Sequence, residues 1–214
     1  MWDLAGSGEP KSFGPAGDLA FGADGTAAVI PGDFKGVTVF DLATGDPIRR
    51  IPTPAGIEYL ELEVDPTGKL ATDLSGLARR IDVIDMQTGD IRQTLEFRDP
   101  YLAKFSPDGK ALAVSGNDGL IRIYDTTDFV ERERLTGTSG LPSQLSFTPD
   151  GSHLVSARTG EVRTWDISAT GPDALRNVQV SGGLIDRLVV AGDESAAYAT
   201  VYSNSGDLSS VHRI

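Results

Sequence analysis

Two histidines, His153 and His212, and the absence of cysteine set narrow limits on what chemistry this 214-residue chain can perform. The histidines stand 59 positions apart, which matches no local metal-ligand spacing. His153 follows Pro149-Asp150-Gly151-Ser152 and reads as a turn residue; His212 sits where a Trp or Tyr stands in related segments and reads as a packing position. Without cysteine there is no disulfide, thiolate nucleophile or Cys-ligated zinc. Several Asp-Gly pairs, such as Asp108-Gly109 and Asp150-Gly151, invite comparison with calcium loops, but the alternating carboxylates and distal Glu of such a loop are missing. No Gly-x-Ser-x-Gly, phosphate-loop or dinucleotide fingerprint is present. The residues therefore predict no catalytic set, no metal and no cofactor. The Asp-Gly pairs are assigned to turns.

The elements that position these residues come from a repeat. Asp18-Leu19-Ala20-Phe21-Gly22-Ala23-Asp24-Gly25, Leu102-Ala103-Lys104-Phe105-Ser106-Pro107-Asp108-Gly109 and Gln144-Leu145-Ser146-Phe147-Thr148-Pro149-Asp150-Gly151 are variants of one phrase. Weaker copies end at Asp65-Pro66-Thr67-Gly68 and Gly192-Asp193-Glu194. From Gly25 through Gly68, Gly109 and Gly151 to Glu194 the steps are 43, 41, 42 and 43 residues. A second phrase runs in phase: Val39-Phe40-Asp41, Val83-Ile84-Asp85, Ile123-Tyr124-Asp125 and Thr164-Trp165-Asp166. In the fourth repeat, Leu145-Ser146-Phe147 alternates as a strand, Pro149-Asp150-Gly151 turns, and His153–Ala157 returns. Thr159-Gly160 turns again into Glu161–Asp166, and an outer strand follows near Leu175–Val180. That is four antiparallel strands in about 42 residues, the content of one propeller blade. No apolar helix-period run survives the 25 Gly and 12 Pro.

On the repeated residues, a large side chain before each Asp fills the space between neighbouring sheets, and the Asp accepts turn amides. Neither is expected to be catalytic. With 31 acidic against 19 basic residues the formal charge is -12, which opposes binding to nucleic acid or anionic lipid. No signal-peptide pattern and no apolar run near the roughly 20 residues of a membrane span occurs, so a cytoplasmic protein is expected. Arg79-Arg80 is an isolated basic pair, read as solvated beside a strand, with reception of an acidic partner as the alternative.

Ser106-Pro107-Asp108-Gly109, Val114–Gly119, Ile121-Arg122-Ile123-Tyr124-Asp125 and the literal Trp165-Asp166 dipeptide resemble the WD40 repeat family over essentially the full chain. Phe40-Asp41-Leu42-Ala43-Thr44-Gly45 and Trp165-Asp166-Ile167-Ser168 look like repeats of bacterial, especially actinobacterial, multidomain regulators. The resemblance implies an all-β, WD40-type β-propeller with five recognisable blades: 14–52, 53–97, 98–135, 136–180 and 181–214, in a single domain 1–214. It departs from the family in lacking the Gly-His dipeptide that opens many repeats, and in supplying five repeats where seven blades would take about 290 residues. An outer strand at 8–13 is read either as closing the ring or as the start of a fragment of a larger one. In the second case edge strands would favour self-association.

By analogy with propellers, loops joining second to third strands and fourth to first strands share one face. On it fall Asp33, Phe34 and Lys35, Tyr101, Asn117 and Asp118, and Arg158. Phe34 and Tyr101 are the expected aromatic anchors, with local packing over their own loops as the competing reading. The expected function is a non-catalytic scaffold or sensing module that binds a protein or peptide partner on that face, within a larger bacterial regulator. The alternative is a lactonase- or quinoprotein-like enzymatic propeller, or a small-ligand one, with its site in the central channel.

Overall fold

A computed structural model of the protein describes residues 16–22, 25–55, 57–58, 61–75, 79–97, 99–136 and 140–167, and strands within 174–179, 184–190, 197–202 and 208–213. The 1→2 turns of sheets 2, 3 and 4 are built by an aspartate and a glycine. Gly109 donates its N–H to the Ser106 carbonyl at 2.9 Å, and Asp108 accepts from the Ser106 hydroxyl at 2.7 Å and the Lys110 amide at 3.0 Å. Thr148, Asp150 and Ser152 repeat the arrangement. Gly25, Gly68, Gly109 and Gly151 all hold φ of 70–83°, where a Cβ is strained. The 3→4 turns use the aspartate that follows the large side chain. Asp41 accepts the Ala43 and Thr44 amides at 2.7 and 2.8 Å, Asp85 those of Gln87 and Thr88 at 2.8 and 2.9 Å, and Asp125 that of Thr127 at 2.6 Å. Both expected turn roles are met.

These turns order the chain into antiparallel meanders. Sheet 1 comprises β1 (Ala16–Phe21), β2 (Thr26–Pro31), β3 (Gly36–Asp41) and β4 (Pro47–Pro52). Sheet 2 comprises β5 (Glu61–Val64), β6 (Leu70–Ser75), β7 (Arg80–Asp85) and β8 (Ile91–Glu96). Sheet 3 comprises β9 (Pro100–Phe105), β10 (Ala111–Gly116), β11 (Ile121–Asp125) and β12 (Glu131–Leu135). Sheet 4 comprises β13 (Gln144–Phe147), β14 (His153–Arg158), β15 (Glu161–Asp166) and β16 (Ala174–Gln179). Sheet 5 has three described strands, β17 (Leu184–Val190), β18 (Ala197–Tyr202) and β19 (Leu208–Arg213). The described residues contain no helix, and each four-stranded sheet has the strand order of a propeller blade. The proposed outer strand at 8–13 lies outside the described residues.

The chain divides into two compact units, Met1–Leu95 and Glu96–Ile214. In the first, Ile30, Val37, Val39 and Ile51 of sheet 1 pack against Leu62, Ala71, Ile84 and Met86 of and beside sheet 2. The Asp18 carboxylate adds a polar link, accepting the Leu62 amide at 2.8 Å. In the second, Ala113, Ile121, Ile123 and Leu135 of sheet 3 pack against Leu145, Phe147, Leu154 and Trp165 of sheet 4. Trp165 is 1% exposed. Its indole N–H donates to the Ser156 hydroxyl at 2.9 Å, so the largest buried side chain keeps its one polar atom satisfied. Burying each such large side chain contributes about 2–3 kcal/mol.

In sheets 2, 3 and 4 an arginine of the third strand pairs with a carboxylate. Arg80 meets Asp82 at 2.6 Å, Arg122 meets Asp118 at 2.5 Å, and Arg163 meets Glu161 at 2.5 Å. Asp82 is wholly buried and also accepts the Thr94 hydroxyl at 2.8 Å. This corrects the reading of Arg79-Arg80 as a solvated pair: Arg80 serves a buried carboxylate, while Arg79 is exposed.

Candidate functional site

In the second unit the 4→1 and 2→3 connections of sheet 3 meet at one end of its strands. The Asn117 amide donates to the Asp99 carbonyl at 3.1 Å, tying the two loops together. Ser115 pairs with Leu102 and Gly116 with Pro100, which leaves Tyr101 as the extra residue of a β-bulge. A bulge re-aims its side chain. Tyr101 is 44% exposed, beside exposed Asn117.

Asp118 belongs to the same turn but is held from within. Arg122 grips it through both terminal nitrogens, at 2.5 and 3.3 Å, and the Leu120 amide donates to it at 3.1 Å. Burial alone raises its pKa, yet the Arg122 hydrogen bonds, the Leu120 amide and the Arg122 charge outweigh that and hold the carboxyl below its ordinary range. Arg122 is itself fixed, its guanidinium carbon 4.6 Å from the centre of the Phe97 ring and its Nε 3.7 Å from Glu131. The result is a rigid rim: one exposed aromatic on a bulge, backed by a braced, ionised turn.

Arg158, at the end of β14, lies with its guanidinium close to Gly140, which holds φ at 154°. No described contact joins it to Tyr101.

In the first unit the 2→3 turn of sheet 1 carries Asp33, Phe34 and Lys35. Phe34 closes the turn, its amide 2.9 Å from the Pro31 carbonyl, with φ at 55°. Its ring lies on Gly17, the extra residue of a bulge in β1, and packs on the core between sheets 1 and 2. Local packing, the competing reading of Phe34, describes this position. Asp33 accepts the Lys35 amide at 3.2 Å and faces Arg50 at 3.8 Å, both side chains exposed. The corresponding αL turn positions are Arg79 (54°), Gly119 (74°) and Gly160 (75°). Sheets 1 and 2 thus hold Phe34 and Arg79 where sheets 3 and 4 hold glycine. The segments 137–139 and 203–207, which carry other connections of this kind, lie outside the described residues.

A second feature of the first unit, at the opposite ends of the strands, carries no signature in the sequence. A cleft of about 390 Å³ opens between sheets 1 and 2. Buried Val39 and Met86 form its floor, and Ile48, Arg49, Lys69 and Gln87 stand on its rim. Its residues come from five separate segments, so no local motif announces it.

The comparisons with known proteins agree with this architecture. The family model described as "WD domain, G-beta repeat" matches residues 101–125, which run from Tyr101 to the Asp125 turn. The 66 kDa stress protein of Physarum polycephalum is 26% identical over 165 residues, covering 73% of this chain and 26% of that protein. WD repeat-containing protein 82 of Drosophila melanogaster is 36% identical over 67 residues, 29% of this chain and 21% of that one. The chain thus spans about a quarter or less of the length of these relatives. Among solved structures, Kuenenia stuttgartiensis hydrazine synthase superposes with a TM-score of 0.75 at 17% identity, over 100% of this chain and 65% of that one. At that identity the likeness concerns the fold alone. The strand order, the turn chemistry and the 101–125 match describe an all-β protein of propeller type that carries a WD40 repeat at residues 101–125.

Proposed function

We propose that this chain is a non-catalytic binding module that takes a protein or peptide partner at the 2→3 and 4→1 edge of its sheets, with Tyr101 as the anchor. One observation carries the reading: a bulge turns Tyr101 outward between two loops that are hydrogen-bonded to each other. An aromatic held this way contributes a large contact area at low entropic cost on binding. The Asp118 carboxylate in the adjoining turn serves the Leu120 amide and Arg122, which suits a scaffold better than a proton-transfer site. The fold and family fit this role but do not name the partner, because one architecture carries many functions. A cytoplasmic role inside a larger bacterial regulator belongs to the same proposal, on the resemblance of the Phe40–Gly45 and Trp165–Ser168 segments.

The test is photo-crosslinking in cells, with a benzophenone amino acid placed at position 101 or, as control, at exposed Ile91 of β8. A discrete protein adduct formed from position 101 and not from 91 supports the proposal. Equal adduct patterns from both positions, or none from 101, would overturn it.

A further inference from the structure

We infer that the cleft between sheets 1 and 2 is a second binding site, built for an acidic peptide segment carrying one apolar side chain. It lies at the ends of the strands opposite the 2→3 and 4→1 connections, because its walls come from 1→2 and 3→4 turns. Thr67, Gly68 and Lys69 form the 1→2 turn of sheet 2, while Met86 and Gln87 enter its 3→4 turn. Thr26 begins β2, and Ile48 and Arg49 lie at the start of β4. The site is therefore separate from the Tyr101 rim and does not depend on that reading.

Charge and shape together select the ligand. The protein carries a formal charge of -12, yet both ionisable side chains lining this cleft are cations. The Lys69 ammonium makes no ion pair among the described residues. Arg49 is directed by a hydrogen bond from its Nη1 to the Thr88 carbonyl at 3.1 Å, a contact that leaves its charge without a carboxylate. Two neighbouring carboxylates are engaged with the backbone. Asp65 accepts the Lys69 and Leu70 amides at 2.8 and 2.7 Å, and Asp85 accepts those of Gln87 and Thr88. Between the cations, Val39 and Met86 present a buried apolar floor, and Ile48 is 56% exposed at the lip. A volume of about 390 Å³ lies at the small end of ligand pockets, enough for one leucine-sized side chain and the backbone beside it. An apolar floor that accepts one side chain, with cations to either side for flanking carboxylates, fits an acidic peptide better than a free anion. The flexible thioether of Met86 lets the floor adapt to the inserted group.

The probe is an acetylated, amidated pentapeptide, Glu-Glu-Leu-Glu-Glu, titrated into the whole protein labelled for amide chemical-shift mapping. Saturable shifts are expected at Gly68, Lys69, Met86 and Gln87, and Lys69→Glu should weaken binding about tenfold or more with an unchanged Tm. Tyr101→Ala should leave the titration unaltered, which separates this site from the rim. Replacing the leucine by glycine should abolish saturation. The proposal is overturned if Lys-Lys-Leu-Lys-Lys binds equally well, if citrate alone reproduces the shifts, if Lys69→Glu has no effect, or if no saturation occurs up to millimolar peptide.

Discussion

Arg79 is an instructive residue because its backbone and its side chain make opposite demands. It holds φ at 54° in a turn position where Gly119 and Gly160 sit, and a left-handed L-residue costs about 1–2 kcal/mol. Its side chain is exposed. Arg79→Gly is therefore expected to raise stability by about 0.5–1 kcal/mol after the added chain entropy of glycine is counted. Chemical denaturation measures this through the midpoint, and a lowered midpoint would mean that the arginine side chain contributes more than its backbone costs. Phe34 differs, since its ring on Gly17 and the core offsets the same strain. Asp99 (φ 53°) and Phe129 complete the group: at φ 56° Phe129 replaces, in the 3→4 turn, the glycines at 45 and 89, and its side chain is buried. Sequence reading placed Phe34 on a loop correctly but had no means of seeing Gly17 beneath it. The bulge that exposes Gly17 is a register feature, set by pairing with β2 rather than by residue type.

At the scale of the strand and sheet, the turns were the most legible feature and the charge pairs the least. Pro-Asp-Gly and the aspartate after each large side chain specify turns through local hydrogen bonds, so a short window of residues contains the whole cause. Asp82 is different. It reads as one more acid on an acidic chain, and only the packing of β7 between its neighbours buries it against Arg80 and Thr94. Arg80→Met removes the cationic partner of that buried carboxylate, at an expected cost of about 3 kcal/mol. Adding Asp82→Leu should recover most of the loss, because the strand then presents apolar groups of similar size. Urea denaturation of the two single variants and the double variant measures the coupling. Strictly additive losses would show that the pair is not the cause.

At the scale of the molecule, the 41–43-residue period revealed the sheets and their order, since each repeat is one meander. What it left hidden is which copies of a phrase are buried. Leu145 and Phe147 lie in the core against sheet 3, whereas Leu19 and Phe21, in the same phrase on β1, are exposed. A strand phrase specifies alternation, and burial then depends on which sheet stands against it. The same limit applies to the candidate sites. The cleft and the Tyr101 rim are assembled from residues that meet only when strand ends are brought together. Asp118 was selected from its loop position, but its engagement and lowered pKa depend on Arg122, which Phe97 and Glu131 in turn hold in place.

The central claim is that the repeated residues build the sheets while Tyr101, on its bulge, is free to bind. The most direct test is a paired measurement on Tyr101→Ala: affinity for the protein captured at position 101, and the thermal midpoint. The account predicts that affinity falls by about tenfold or more, as for an interface anchor, with the midpoint within about 2 °C of the parent. An unchanged affinity, or a midpoint lowered as far as a buried aromatic would lower it, would contradict the account and make Tyr101 part of the packing of sheet 3.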